Sequence, residues 1–144
     1  MADGIPVALN TSLTAEDRRR RLAYHEGYHA ACDAMVAATP DAIVMSMHSF
    51  TPVYEGRRRE MELGVLFNRH QAPADELAGY LAVAGWRVAT NAPWSGREGL
   101  MYGADRHSDA HGRAAIELEV RQDLLADAAA VERLVSDLAA CLEP

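Results

Sequence analysis

An apolar run of strand length at residues 42–47 places the tightest constraint on how this chain can fold. The run contains β-branched residues and ends in His48, which a Ser-Phe-Thr-Pro turn sequence follows, as in a buried parallel strand. In open α/β sheets, ligands bind in the crevice beyond the carboxyl ends of such strands. His48 is therefore a candidate site residue, and the alternative is a histidine that only hydrogen-bonds a loop.

Helical and strand patterns alternate along the rest of the chain. Thr14 has the character of an N-cap, and acidic residues follow it in the first helical turn. The predicted helices cover residues 15–38, 74–83, 105–111 and 126–141, and the predicted strands cover 42–47, 63–67, 86–91 and 115–121. Such alternation predicts an α/β layered fold with a mostly parallel sheet.

The composition is that of a globular protein with one core. The 144 residues are 49% hydrophobic and 24% charged, which suits a single domain over residues 1–144. A net charge of -7 argues against a nucleic acid or an anionic membrane as the main partner. Two distant cysteines predict no thiolate metal site, and the absence of a signal-like or membrane-spanning stretch makes the cytoplasm the expected location.

Residues 25–29, HEGYH, match the H-E-x-x-H pattern on the first predicted helix. His25 and His29 lie one turn apart and could share a zinc ion, with Glu26 as the general base of a small peptidase. Against this interpretation, Gly27 weakens the helix. The alternative is two inward-facing histidines that hydrogen-bond to the core or to a cleft.

A second candidate site combines His48 with the last predicted strand. Glu117, Glu119 and Arg121 alternate with apolar residues and so share one face of that strand. A metal-bound water needs a metal ligand, a carboxylate base and a cation that steadies an oxyanion or a substrate carboxylate. The alternative is a ladder of solvated charges.

Two loops add weaker signals. The arginines at residues 57–59 are expected to be solvated, and the alternative is that one of them binds an anionic ligand. Residues 91–103 are rich in glycine and proline and long enough to suggest a functional loop.

Seven segments in order resemble the C-terminal half of the N-formylglutamate amidohydrolase family. They are DGIPVALNTSLTAEDRRRRL, YHEGYHAA, MHSFTPVYEGRRR, LGVLFNR, NAPWSGREGLMYG, DRHSDAHG and IELEVRQDLLAD. Members hydrolyse N-formyl-L-glutamate to formate and glutamate, and they resemble zinc carboxypeptidases and aspartoacylases in fold. The resemblance thus implies a three-layer α/β/α fold, truncated relative to the family, and an acidic N-acyl amino acid as ligand.

The resemblance also implies roles for individual residues. His48 would be the last ligand of a divalent metal, zinc by analogy with the family, and Glu119 would be the carboxylate that acts on water. The substrate residues would be Asn91, Ser95 and Arg97 in the loop, with Arg121 and His107 nearby. The histidines of the H-E-x-x-H match would then belong to a helix beside the sheet.

The chain also departs from the family. Members are roughly twice as long, and their earlier half carries a histidine and a glutamate that complete the metal site. Residues 59–62, REME, stand where members show Arg-Pro-Trp. We therefore expect an incomplete metal site, an exposed sheet edge, and a homo-oligomer or a partner chain. A non-catalytic binding or partner subunit remains an alternative function, as does the small H-E-x-x-H peptidase.

Overall fold

A computed structural model of the chain describes residues 8–142. The chain divides into two compact units, Met1–Thr39 and Pro40–Pro144. The first unit contains helix α1 (Ala15–Ala38), which begins as predicted, because the Thr14 side chain accepts a hydrogen bond from the backbone N–H of Asp17 at 3.0 Å.

Helix α1 does not turn both of its histidines inward. His29 is the one buried residue of the helix, whereas His25 is exposed, so the expectation of two inward-facing histidines was wrong for His25. The helix has no continuous apolar stripe, and Tyr24 and Tyr28 are also exposed. A helix without such a stripe has no physical reason to bury a whole face.

The second unit contains a mixed four-stranded sheet with three helices. Its strands are β1 (Val44–Phe50), β2 (Val53–Tyr54), β3 (Arg57–Arg58), β4 (Leu63–Leu66), β5 (Val88–Thr90) and β6 (Ala115–Arg121), and its helices are α2 (Gln71–Val83), α3 (Tyr102–His111) and α4 (Ala128–Leu142). The sheet order is β1-β6-β4-β5, and β2 pairs separately with β3 as an antiparallel hairpin. Strands β1 and β6 are parallel, as are β4 and β5, while β4 and β6 are antiparallel. The prediction of a mostly parallel sheet is thus confirmed, with one antiparallel pair at its centre.

The two faces of the sheet carry different side chains. On one face, Ile116, Leu118 and Val120 of β6 pack with side chains of α2 and α4 in the main core. On the other face, a smaller cluster joins Leu66 and Ala115 to residues at the start of α3. Helices therefore cover both faces, which gives the layered α/β/α arrangement that was predicted.

Strand β1 is displaced along the chain from its predicted position. The strand was expected to stop at residue 47, but it runs from Val44 to Phe50 and so includes His48. The extension follows from pairing, because β6 continues beside β1 as far as the Phe50–Arg121 pair. Among the described residues, no helix is long and apolar enough to cross a membrane.

Candidate functional site

The pairing of β1 with β6 brings the two halves of the candidate site together. His48 lies beside Glu119, and Ser46 lies beside Glu117. Because side chains alternate along a strand, all four of these side chains project from the same face of the sheet. The opposite face of β6 is the apolar one that forms the main core.

The imidazole and the two carboxylates are close enough to bind one cation. His48 Nε2 lies 3.7 Å from Glu117 Oε2. Potential ligand atoms of His48, Glu117 and Glu119 all lie within 4.8 Å of one another. The hydroxyl of Ser46 donates to Glu117 Oε2 at 2.6 Å and so fixes that carboxylate. The His48 side chain is 58% exposed and that of Glu117 only 6%, so the group is open to solvent on the histidine side.

The charged face of β6 is buried. Glu117, Glu119 and Arg121 are 4%, 4% and 3% exposed. The alternative of a solvated charge ladder was therefore wrong. The physical reason is that β6 is an inner strand, with β1 on one side and β4 on the other.

Glu119 lies in an unfavourable environment for a negative charge. Its Oε2 atom is buried and has no hydrogen-bond partner among the described residues. Burial raises the pKa of Glu119 above its ordinary value, and repulsion from Glu117 raises it further, while His48 and Arg59 act in the opposite direction. A cation bound beside the two carboxylates would offset the repulsion between Glu117 and Glu119. Imidazole nitrogen and carboxylate oxygen are also the donors that zinc accepts, so these residues fit a divalent metal.

Arg121 is occupied by the protein itself. Its Nε group donates to Asp123 Oδ1 at 2.7 Å, and this hydrogen bond lowers the pKa of Asp123. Its Nη1 group lies within 3.2 Å of the carbonyl oxygens of Arg59, Glu60 and Met61. The guanidinium thus anchors the segment that leads into β4.

The loop after β5 is shaped by two of the predicted substrate residues. Asn91 has a positive φ of 49°, and its Oδ1 atom accepts hydrogen bonds from the backbone N–H groups of Phe67 and Gly96 at 3.0 and 3.1 Å. Ser95 Oγ accepts a longer bond from the backbone N–H of Arg97 at 3.3 Å. These contacts hold the loop against the end of β4.

The remaining predicted substrate residues lie in different surroundings. The Arg97 side chain is exposed, with its guanidinium carbon 5.0 Å from the centre of the Phe67 ring and its Nη2 group 3.3 Å from Gln71 Oε1. His107 is buried in α3, which packs against the sheet through the smaller apolar cluster. The structure thus places His48 directly beside Glu119. The other predicted residues lie in the loop after β5, in β6 and in α3.

The H-E-x-x-H residues form a pair on α1. The ring centres of His25 and His29 are 4.3 Å apart, and Glu26 is exposed. Within the described part of the chain, the one group of three or more side chains suited to a metal is His48, Glu117 and Glu119. His25 and His29 are not part of it.

Two members of the site were missed as functional residues. Glu117 was predicted only as part of the charged strand face, and Ser46 was not singled out. The signal for both was the period of two along a strand, since Glu117 is two residues from Glu119 and Ser46 is two residues from His48.

Comparisons with known proteins agree with the resemblance found in the sequence. The family model for N-formylglutamate amidohydrolase matches residues 1–126. The crystal structure of a gene product from Agrobacterium tumefaciens is similar, with a TM-score of 0.62 and 27% sequence identity. The match covers 93% of this chain and 58% of that chain, so this chain spans little more than half of that relative's length. Among curated proteins, none matches.

Proposed function

Because the chain belongs to the N-formylglutamate amidohydrolase family, we propose that it hydrolyses a small acidic N-acyl amino acid, with N-formyl-L-glutamate as the first candidate. The observation that carries this proposal is the buried Glu119 carboxylate, which has an unpartnered oxygen and lies beside His48. Hydrolysis of a linear amide needs a positioned water, a base for its proton and an electrophile for the carbonyl oxygen. Glu119 could serve as the base, and His48 and Glu117 could hold a metal ion that acts as the electrophile.

His48 and Glu117 would hold a divalent metal, and zinc is the first candidate. Their nearest ligand atoms are 3.7 Å apart, and the Ser46 hydroxyl orients the Glu117 carboxylate through a hydrogen bond to Oε2. When bound, zinc would supply a water of lowered pKa and polarise the substrate carbonyl. A site with so few protein ligands should bind zinc far more weakly than a closed three-ligand site.

Glu119 would act on the water. Its carboxylate would accept a proton as the water oxygen bonds to the formyl carbon, and it would return that proton to the amide nitrogen as the carbon–nitrogen bond breaks. Formate and the free amino acid would be the products. Because the carboxylate is held between paired strands, it needs little reorganisation to perform both transfers.

Metal analysis and formate release, measured on the same preparations, test this assignment. Glu117→Gln should lose zinc and activity together. Glu119→Gln should retain most of the zinc but lose formate release, because it removes the base. Glu132→Gln, at an exposed position on α4, is the matched control and should behave as the wild-type protein. Activity in Glu119→Gln close to that of the control would contradict the proposed role.

A non-catalytic binding subunit is the second candidate function. It is favoured by the contacts of Asn91 and Arg121, because both side chains already make hydrogen bonds within the protein. Binding of glutamate without formate release from N-formylglutamate, in protein supplied with zinc, would favour this alternative over the hydrolase.

A further inference from the structure

Arg59 is held by three aromatic rings, one of which belongs to Phe50, the last residue of β1. Its guanidinium carbon lies 4.8 Å from the centre of the Tyr54 ring, 5.3 Å from that of Trp94 and 5.6 Å from that of Phe50. The two arginines before it are exposed and belong to the small hairpin, whereas Arg59 is half-buried. Aromatic faces attract a guanidinium and fix its plane.

The backbone and side chain of Arg59 are also anchored by hydrogen bonds. Its N–H donates to the carbonyl of Pro52 at 2.9 Å, and its carbonyl accepts from Arg121 Nη1 at 3.2 Å. Its Nη1 group donates to the carbonyl and the hydroxyl oxygen of Thr51 at 3.2 and 3.3 Å. The orientation of the guanidinium is therefore fixed before any ligand binds.

The guanidinium lies on the same side of the sheet as the candidate metal group. Phe50 is two residues after His48 on β1, so both side chains project from one face. Because Arg59 lies over the Phe50 ring, it is on that face as well. Its charge also lowers the pKa of Glu119, which is consistent with this proximity.

The charge of Arg59 is not balanced within the described part of the chain. No carboxylate there lies within ion-pair distance of it, whereas Arg121 pairs with Asp123. With Nη1 bonded to Thr51, the edge formed by Nε and Nη2 makes no hydrogen bond among the described residues. Two parallel N–H groups on one edge of a guanidinium match the two oxygens of a carboxylate.

We infer that Arg59 is a specificity-determining residue that binds a carboxylate of the substrate through its Nε and Nη2 edge. This inference rests on the proposed function, because it assigns the acidic group of the same substrate to a residue of the same site. The aromatic rings hold the guanidinium plane, and the partial burial of Arg59 limits competition from water for the hydrogen bonds.

Calorimetric titration with L-glutamate tests the inference without requiring catalysis. Arg59→Lys should bind glutamate roughly tenfold more weakly, because an ammonium cannot make the paired contact, and Arg59→Ala should lose roughly 100-fold. Added guanidinium ion should partly restore binding to Arg59→Ala by occupying the space between the rings. Arg58→Ala, at the exposed neighbouring position, should bind as the wild-type protein does.

The outcomes separate this inference from the proposed hydrolysis. Arg59-dependent glutamate binding with no formate release would refute hydrolysis and leave the inference standing. Formate release and glutamate affinity that are both unchanged in Arg59→Ala would overturn the inference and leave hydrolysis standing. Failure of the wild-type protein to bind glutamate would overturn it too, as would a loss of binding in Arg59→Lys accompanied by an equal loss of zinc.

Discussion

Replacing Glu119 by glutamine should stabilise the metal-free protein near neutral pH. The carboxylate is 4% exposed, one of its oxygens has no hydrogen-bond partner among the described residues, and the Glu117 carboxylate lies close by. A buried polar group without a partner costs roughly 1–3 kcal/mol when it is neutral and more when it is charged. Glutamine keeps the shape of the side chain and removes the charge, so we expect the free energy of unfolding to rise by about 1–2 kcal/mol.

The stability gained by Glu119→Gln should increase as the pH rises. The pKa of Glu119 is raised in the folded protein, so the folded state holds this proton more tightly than the unfolded chain does. The stabilisation linked to this proton is fully present below the unfolded pKa, which is about 4.3, and is lost as the pH rises through the raised folded pKa. The stability advantage of Glu119→Gln over the wild-type protein should therefore be small at about pH 4 and largest at about pH 8.

Urea unfolding in the presence of a chelator measures this difference. Trp86 and Trp94 both belong to the compact unit that contains Glu119, so their fluorescence reports on the relevant transition. Glu132→Gln should change the unfolding free energy by less than about 0.5 kcal/mol at either pH. Without the chelator, zinc should stabilise the wild-type protein by RT ln(1 + [Zn]/Kd), so the gain should grow with the logarithm of the zinc concentration. A variant that is less stable than the wild-type protein near neutral pH, or an advantage that does not grow with pH, would refute this account of Glu119.

Four further predictions concern the packing around the site, the role of Glu26 and the oligomeric state. Gly64→Ala should lower the unfolding free energy by at least about 1–3 kcal/mol in urea, since its Cβ would lie 2.2 Å from the carbonyl oxygen of Ala92. Asn91→Ala should cost about 2 kcal/mol in the same assay, because two backbone N–H groups lose their acceptor at a residue with positive φ. Glu26→Gln should leave zinc content and formate release unchanged, and loss of a measured peptidase activity in this variant would support the small H-E-x-x-H peptidase instead. Sedimentation should give a species heavier than the 15.7 kDa monomer, because β1 is an edge strand, and a compact monomer would contradict this.

The elements that could be predicted from sequence are those specified by local patterns. Strand β6 was predicted with its observed ends because apolar and charged residues alternate over its whole length. The start of α1 was marked by the Thr14 cap, and the end of α3 by Gly112, which adopts the left-handed conformation expected of a C-cap glycine. Each of these signals is contained within a few neighbouring residues.

The features that could not be predicted depend on partners far away in the chain. The end of β1 depends on β6, which is why the strand passes through His48 instead of stopping before it. Burial of Glu117 and Glu119 likewise depends on β1 and β4 lying on either side of their strand. Arg59 could not be distinguished from the arginines before it, because one of its aromatic partners, Trp94, lies in a loop that follows α2 and β5 in the sequence.

The register between β1 and β6 determines both which side chains of β6 face the core and whether Glu119 lies beside His48. A slip of one residue would turn Ile116, Leu118 and Val120 away from the core, and burying each such side chain contributes roughly 1.5–3 kcal/mol. The same slip would turn Glu119 away from His48. The charged groups oppose folding, since two close carboxylates are buried together, so they cannot themselves hold this register. The apolar side chains on the opposite face of β6 therefore maintain the site, and they keep Glu119 beside His48 whether or not a cation is bound.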